Sequence, residues 1–138
     1  HAPQFAQKSM EIKLSVTRGK EKGGVLISHG GSRSGYSLYL EDGKPVFSCR
    51  LGGSLHTFRA TKELPERRAS LYAALLPGGK VSLTMENEVV AEGKLPGLFN
   101  SHPQDPLEIG NDSQSTVANY SSSPRFKGKV NEAKLKLK

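Results

Sequence analysis

Glu86 and Glu88 are spaced for acid–base chemistry. Side chains at i and i+2 of one strand share a face. Hydrolysis of a glycoside with retention needs two carboxyl groups about 5–5.5 Å apart. The pair fails on its surroundings, because a turn at Glu86–Asn87 would break the strand between the two acids. Other reactive patterns are missing as well. There is no Gly-x-Ser-x-Gly elbow and no His-Glu-x-x-His pair. His1, His29, His56 and His102 are dispersed without zinc-ligand spacing. Cys49 is the single cysteine, so neither an internal disulfide nor a cysteine-based metal cluster can form. It falls on the apolar side of its run with Phe47 and Leu51, which predicts a small buried hydrophobe and not a reactive thiol.

Binding chemistry is better represented than catalysis. The net charge is +7 and the isoelectric point about 9.6, which favours anionic partners or simply a well-solvated surface. A sugar site needs an aromatic platform with polar side chains around it. Tyr120 and Asn119, in a long polar loop, could supply one together with Arg33, Tyr36 and His56. Arg33, Arg50 and Arg59 could grip sulfate or carboxylate with two hydrogen bonds each. No run of five basic residues and no aromatic-rich RNA-binding signature is present, which points away from nucleic acid.

The elements that must position these residues read as strands. Gly24 to Leu51 holds three in succession: one ending at Gly30–Gly31, a second over Tyr36–Leu40, and a third over Lys44–Leu51. Asp42–Gly43 between the last two is a strong hairpin signal, since a type I′ turn needs positive φ at both central residues. Upstream, Ile12, Leu14 and Val16 alternate with Lys13, Ser15 and Thr17, as a half-buried strand requires. Phe5 is expected to tuck under the sheet ahead of it. Ser54–Ala60 reads as a strand placing His56 and Phe58 on one side and Thr57 and Arg59 on the other. Thr61–Arg68 reads as a polar connection. Ala69–Leu76 is apolar on both faces and predicts a central strand covered on both sides. Val81, Leu83 and Met85 alternate again, and Leu107–Ile109 is short. Gly110–Pro124 is a long polar loop of the kind that usually carries function or lacks order. Ala133, Leu135 and Leu137 alternate with Lys134, Lys136 and Lys138 in a closing strand. Ten or eleven short strands without a convincing amphipathic helix predict an all-β sandwich or barrel.

At 138 residues the chain is read as one domain, 1–138, able to bury roughly 68% of its unfolded surface. It has no apolar run of about 18 residues that could span a bilayer, and its first residues lack the pattern of a signal peptide. His1 in place of Met suggests a piece of a longer protein, or a processing or cloning remnant.

The motifs, taken in order, resemble a known family. Gly24-Val-Leu-Ile-Ser-His-Gly-Gly31, Gly35-Tyr-Ser-Leu-Tyr-Leu40 and Asp42-Gly43-Lys44 are followed by Val81–Ala91, Leu107-Glu-Ile-Gly-Asn-Asp112 and Phe126-Lys-Gly-Lys-Val130. Together they resemble concanavalin-A-like lectin and laminin-G-like jelly rolls over nearly the whole chain. They are most similar to the C-terminal accessory domains of bacterial sulfatases. The resemblance implies two antiparallel sheets with the first and last strands adjacent. Lys13 would then lie near Lys134, Lys136 and Lys138, with Lys80 able to join a basic face. Glycosidases of this class carry carboxylates at i, i+2 and i+5, but Ala91 stands at i+5 from Glu86. A sulfatase nucleophile, Cys or Ser followed by x-Pro-x-Arg, is missing too, since Arg50-Leu-Gly-Gly follows Cys49. The resemblance also implies a calcium ion near the sandwich rim, for which Asn111 and Asp112 are the candidates, with Asp105 or Asp42 as partners. The expectation is therefore a non-catalytic, extracellular or periplasmic module. Its partner would be an anionic glycan or the catalytic domain of a larger enzyme, with no membrane insertion. The alternatives are a purely structural domain packed on that enzyme, or a hydrolase with an unrecognised site.

Overall fold

A computed structural model describes residues 9–31, 34–96, 107–112, 116–120 and 123–137. The expectation for Phe5 lies outside them. Ten strands run in chain order: β1 (Met10–Thr17), β2 (Gly24–Gly30), β3 (Gly35–Glu41), β4 (Lys44–Leu51), β5 (Ser54–Arg59), β6 (Ala69–Leu75), β7 (Lys80–Met85), β8 (Glu88–Lys94), β9 (Leu107–Ile109) and β10 (Lys129–Leu137). They form two five-stranded sheets, ordered β10-β1-β6-β7-β8 and β5-β4-β3-β2-β9, and every strand pairing is antiparallel. This is an all-β sandwich, with the first and last strands side by side.

The alternation seen in the sequence sets what each sheet turns inward. Ile12, Leu14 and Val16 of β1, Leu71, Ala73 and Leu75 of β6, and Val81 and Leu83 of β7 face Leu26, Leu38, Phe47 and Cys49 of the second sheet. Burial raises the Cys49 thiol well above its usual pKa, leaving it inert. The hairpin turns have the backbone their residues call for. Asp42 and Gly43 lie at φ 53° and 79°, and Glu86 and Asn87 at 50° and 69°, all in the left-handed region that type I′ turns demand. Gly128 is required by packing instead. A methyl group there would stand 2.3 Å from the Phe126 ring and 2.8 Å from the Thr17 carbonyl oxygen. The Phe126-Lys-Gly128 stretch is thus the tight passage by which the chain crosses from one sheet to the other.

Two expectations need correction. The connection Thr61–Arg68 is not merely polar, because Leu64 is fully buried in the core. Arg18 is buried with it and donates Nε–H to the Leu64 carbonyl at 2.5 Å. A single leucine among charged residues gives no periodic signal. Strand β6 is central, as read, but it is not covered on both sides. Ser70 is exposed and Tyr72 half-exposed on the outer face.

Candidate functional site

The outer face of the second sheet is built from small hydroxyl residues. Ser28, Ser37, Ser48 and Thr57 stand in register on β2, β3, β4 and β5. Ser48 hydrogen-bonds to Tyr39 Oη at 3.0 Å and to Thr57 Oγ1 at 3.1 Å. Residues 111–112 and 116–120 lie over this row as a strap. Ser28 donates to the Asn111 carbonyl at 2.7 Å, and the Tyr120 hydroxyl is hydrogen-bonded to Ser37 Oγ at 2.9 Å. Ala118 completes a small second core with Val25, Tyr39 and Val46, and the Tyr120 ring meets Tyr39 edge-on with centroids 5.0 Å apart.

Asp112 holds this strap in shape. Its Oδ2 accepts the Val117 N–H at 2.8 Å and also the Tyr120 hydroxyl. Burial pushes the Asp112 carboxyl above its usual value, against the two hydrogen bonds that favour the charged form. Burial, helped by the bond to Asp112, pushes the Tyr120 phenol upward as well. Calcium requires six to eight oxygen ligands. Here the Asp112 Oδ2 serves two donors, the Asn111 carbonyl accepts from Ser28, and the Asn111 side chain accepts the Asp112 N–H at 2.9 Å. Asp42 sits in the β3–β4 turn, and Asp105 lies outside the described residues. Among the described residues no three His, Cys, Asp or Glu side chains are arranged to hold a metal. Asn111 and Asp112 serve here as anchors of the strap.

The residues expected to form a sugar site divide between the two faces of the sheet. Arg50, Arg59, Asn119 and Tyr120 belong to the outer side. Tyr36 and His56 share the inward-facing row with Cys49. Tyr36 is fully buried with its hydroxyl 2.8 Å from His29 Nδ1, so no ring face is left for a ligand. His56 is half-buried on the edge strand β5. Arg50 donates Nε–H to the Val117 carbonyl and Nη1–H to the Gly53 carbonyl, each at 2.7 Å. Arg59 pairs with Glu41. Asn119 is exposed and Tyr120 half-buried against Tyr39. Arg33 lies outside the described residues. The two arginines thus hold strap, turn and strand, and the aromatic rings are packed.

The outer face of the first sheet is arranged differently. Lys13 on β1 stands directly opposite Lys134 on β10, and Glu11 opposite Lys136. On the other side of β1, Lys13 is opposite Tyr72, whose ring lies 5.7 Å from the ammonium group. Tyr72 donates its hydroxyl to Glu11 Oε1 at 2.7 Å, which ties down the one carboxylate in the middle of the cluster. Burial, then the bond to Glu11, pushes the Tyr72 phenol up to about 12, so it stays a donor. Lys13, Lys134 and Lys136 make no ion pair within 4 Å with another described residue. A groove of about 380 Å³ runs on the β6 side of Lys13, lined by Lys13, Ser70, Tyr72, Thr84 and Glu86. Lys80 shares the face but lies two strands from β1, opposite Lys94 and 3.8 Å from Glu92. Tyr72 went unread in the sequence, because its place beside Lys13 depends on the pairing of β1 with β6.

The sandwich has counterparts among solved structures. The laminin alpha1 chain of mouse, domains LG4-5, matches with a TM-score of 0.77 at 14% identity over 97% of this chain. The fold is laminin-G-like. The LG1-3 region of the laminin alpha2 chain matches with a TM-score of 0.67 at 10% identity over 98% of this chain. A heptameric SAP-like pentraxin from Limulus polyphemus gives 0.64 at 10% identity over 94%. This chain spans 37%, 28% and 64% of those three chains in turn. At such identities the likeness concerns the sandwich alone. No protein-family model and no curated protein sequence matches the chain.

Proposed function

We propose that this laminin-G-like sandwich is a non-catalytic extracellular module that binds anionic carbohydrate on the outer face of its first sheet. One observation carries the reading: Lys13 faces Lys134 across β1 and β10, with Lys136 beside them and no ion-pair partner for any of the three among the described residues. Like charges placed opposite one another are unfavourable in a sheet. A polyanion lying along the two strands would relieve that repulsion, and the Tyr72 ring would offer a sugar its apolar face. The arginines of the other sheet are weaker candidates because their donors already serve backbone carbonyls or Glu41. The order of glycine-based motifs supports a place beside a catalytic domain of sulfatase type in a longer chain.

Retention on a sulfated polysaccharide matrix tests the site. The wild-type chain should elute later than the Lys13→Ala/Lys134→Ala/Lys136→Ala variant, with the affinity of the variant reduced about tenfold or more at low salt. Arg59→Ala should elute close to wild type. Absence of wild-type retention on sulfated and carboxylated polysaccharides alike, or identical elution of the triple variant, would refute the reading. Turnover of a glycan or a sulfate ester by the isolated chain would refute its non-catalytic part.

A further inference from the structure

Among the described residues one side of the sandwich is only partly filled, by Phe126 and Val130. Sheet one ends at β10 and sheet two at β9, and among the described residues no strand lies beyond either. The inward positions of β10 are Val130, Ala133, Leu135 and Leu137, paired with Val16, Leu14, Ile12 and Met10 of β1. Those of β9 are Leu107 and Ile109, paired with His29 and Ile27 of β2. Leu107 is 44% exposed, Ile109 48% and Leu137 39%, although each points to the inward side of its sheet. Three of the four large exposed hydrophobics among the described residues therefore lie on the two strands that bound this side, with Ile109 beside Val130 near the start of β10 and Leu137 at its far end. Val89, the fourth, is on the strand at the opposite end of sheet one. The outward positions of β10 carry Lys134 and Lys136. Glu132, the acid in that row, is 3.7 Å from Arg68.

We infer that β10 accepts an extended segment of a partner polypeptide as an added strand, and that the segment alternates acidic with apolar residues. The free edge of a nine-residue strand offers a row of backbone donors and acceptors to an incoming chain. Alternate side chains of that chain fall on opposite faces. Its apolar set would fall beside Ile109 and Val130 at one end of β10 and Leu137 at the other, while its carboxylates would meet Lys134 and Lys136. A second copy of this chain is a poor occupant. Antiparallel pairing of β10 with itself would set lysine against lysine, and edge lysines normally serve to prevent that contact. A polysaccharide could satisfy the lysines, but it would leave Leu107, Ile109 and Leu137 in water. Only an alternating peptide complements both faces of the edge at once.

The test uses the full chain and three probes: a ten-residue peptide alternating Glu with Val, the matching Lys–Val peptide, and a sulfated polysaccharide. Backbone hydrogen exchange along β10 is the readout, with affinity measured by titration. The Glu–Val peptide should bind and slow the edge amides of β10 tenfold or more, whereas the Lys–Val peptide should not. Lys134→Glu/Lys136→Glu should reverse that preference, and Leu137→Ser should weaken the Glu–Val peptide several-fold with the fold intact. Any of four results would overturn the inference: no binding of the Glu–Val peptide, binding without protection of β10, an unchanged preference in the charge-reversed variant, or self-association through β10. The polysaccharide arm reports separately on the glycan site, since binding on the outer face leaves the β10 edge amides unprotected.

Discussion

Among the described residues the two long edges of the sandwich are closed by different means and to different extents. At the β5/β8 edge the Phe58 ring lies against Gly93, so closely that a methyl group on Gly93 would stand 2.2 Å from it. Lys62 adds an ion pair to Glu88 of β8 at 2.8 Å on the exposed rim. At the β9/β10 edge the Phe126 ring meets Gly128 in the same way, but only at the entry to β10. β9 has three residues against nine in β10, so much of β10 overhangs it. The same alternating pattern therefore yields a packed edge in one place and exposed leucines in another. What differs is whether a strand of matching length carries a complementary residue opposite.

The contrast can be broken most forcefully at the closed edge. Gly93→Val should displace Phe58 and cost about 2–3 kcal/mol in urea unfolding, as overpacking of a tight contact does. Most of that loss should vanish when Phe58→Ala is already present, and additive losses would show that the ring does not seal this edge. The partly filled edge is held instead from outside, through the strap that follows β9. Asp112→Ala should cost about 1–2 kcal/mol by leaving the Val117 N–H without its acceptor, with exchange rising at Val117 and around β9. Because the buried Asp112 carboxyl lies above its usual value, the folded state takes up its proton more readily than the unfolded chain does. This residue alone should therefore make the strap more stable as the pH falls through the folded value. Asp112→Asn should remove that slope and keep the acceptor.

Smaller effects sharpen the comparison. Leu107→Ser with Ile109→Ser should change stability by no more than about 0.5 kcal/mol each if the β9/β10 edge is only partly filled, and a loss of several kcal/mol would mean that it is closed. The smallest effect belongs to Glu86, in the β7–β8 turn. Bonds from the Ser70 N–H, Arg67 and the Ser70 hydroxyl hold its carboxyl down at about 2. Such a group favours folding above its ordinary range and loses that contribution as the pH falls through the folded value. Glu86→Gln should accordingly differ from wild type in thermal midpoint at pH 7 and converge on it near pH 2.

Much of the fold was legible because burial of one face imposes a period of two. Ile12, Leu14 and Val16 against Lys13, Ser15 and Thr17 gave both the strand and its inward side. Asp42–Gly43 gave a hairpin, since few residue pairs accept positive φ twice. The expected site was harder to read. Tyr36 and Tyr120 look alike in a sequence, yet one is in the core and the other holds a strap. Arg50 and Arg59 have the chemistry for an anion, but their donors serve Val117, Gly53 and Glu41. Leu64 gave no signal because one apolar residue in a charged loop has no period. Asp112 offered the oxygen chemistry of a calcium ligand, and its use as an internal acceptor depended on Val117 and Tyr120 coming back to it.

The sequence by itself determined which residues alternate, where the chain turns, and that β1 and β10 each carry lysines on the side away from the core. Alternation and turn chemistry act over two to eight residues, so they are written locally. Only the tertiary structure decided that Lys13 would face Lys134 and sit beside Tyr72, that the strap would cover the hydroxyl row, and that one edge would be only partly filled. Those outcomes depend on which strand becomes whose neighbour and on what lies across the sandwich. They are set by contacts between residues as far apart as Thr17 and Asn131, whose side chains meet at 2.8 Å, and no local pattern encodes such contacts.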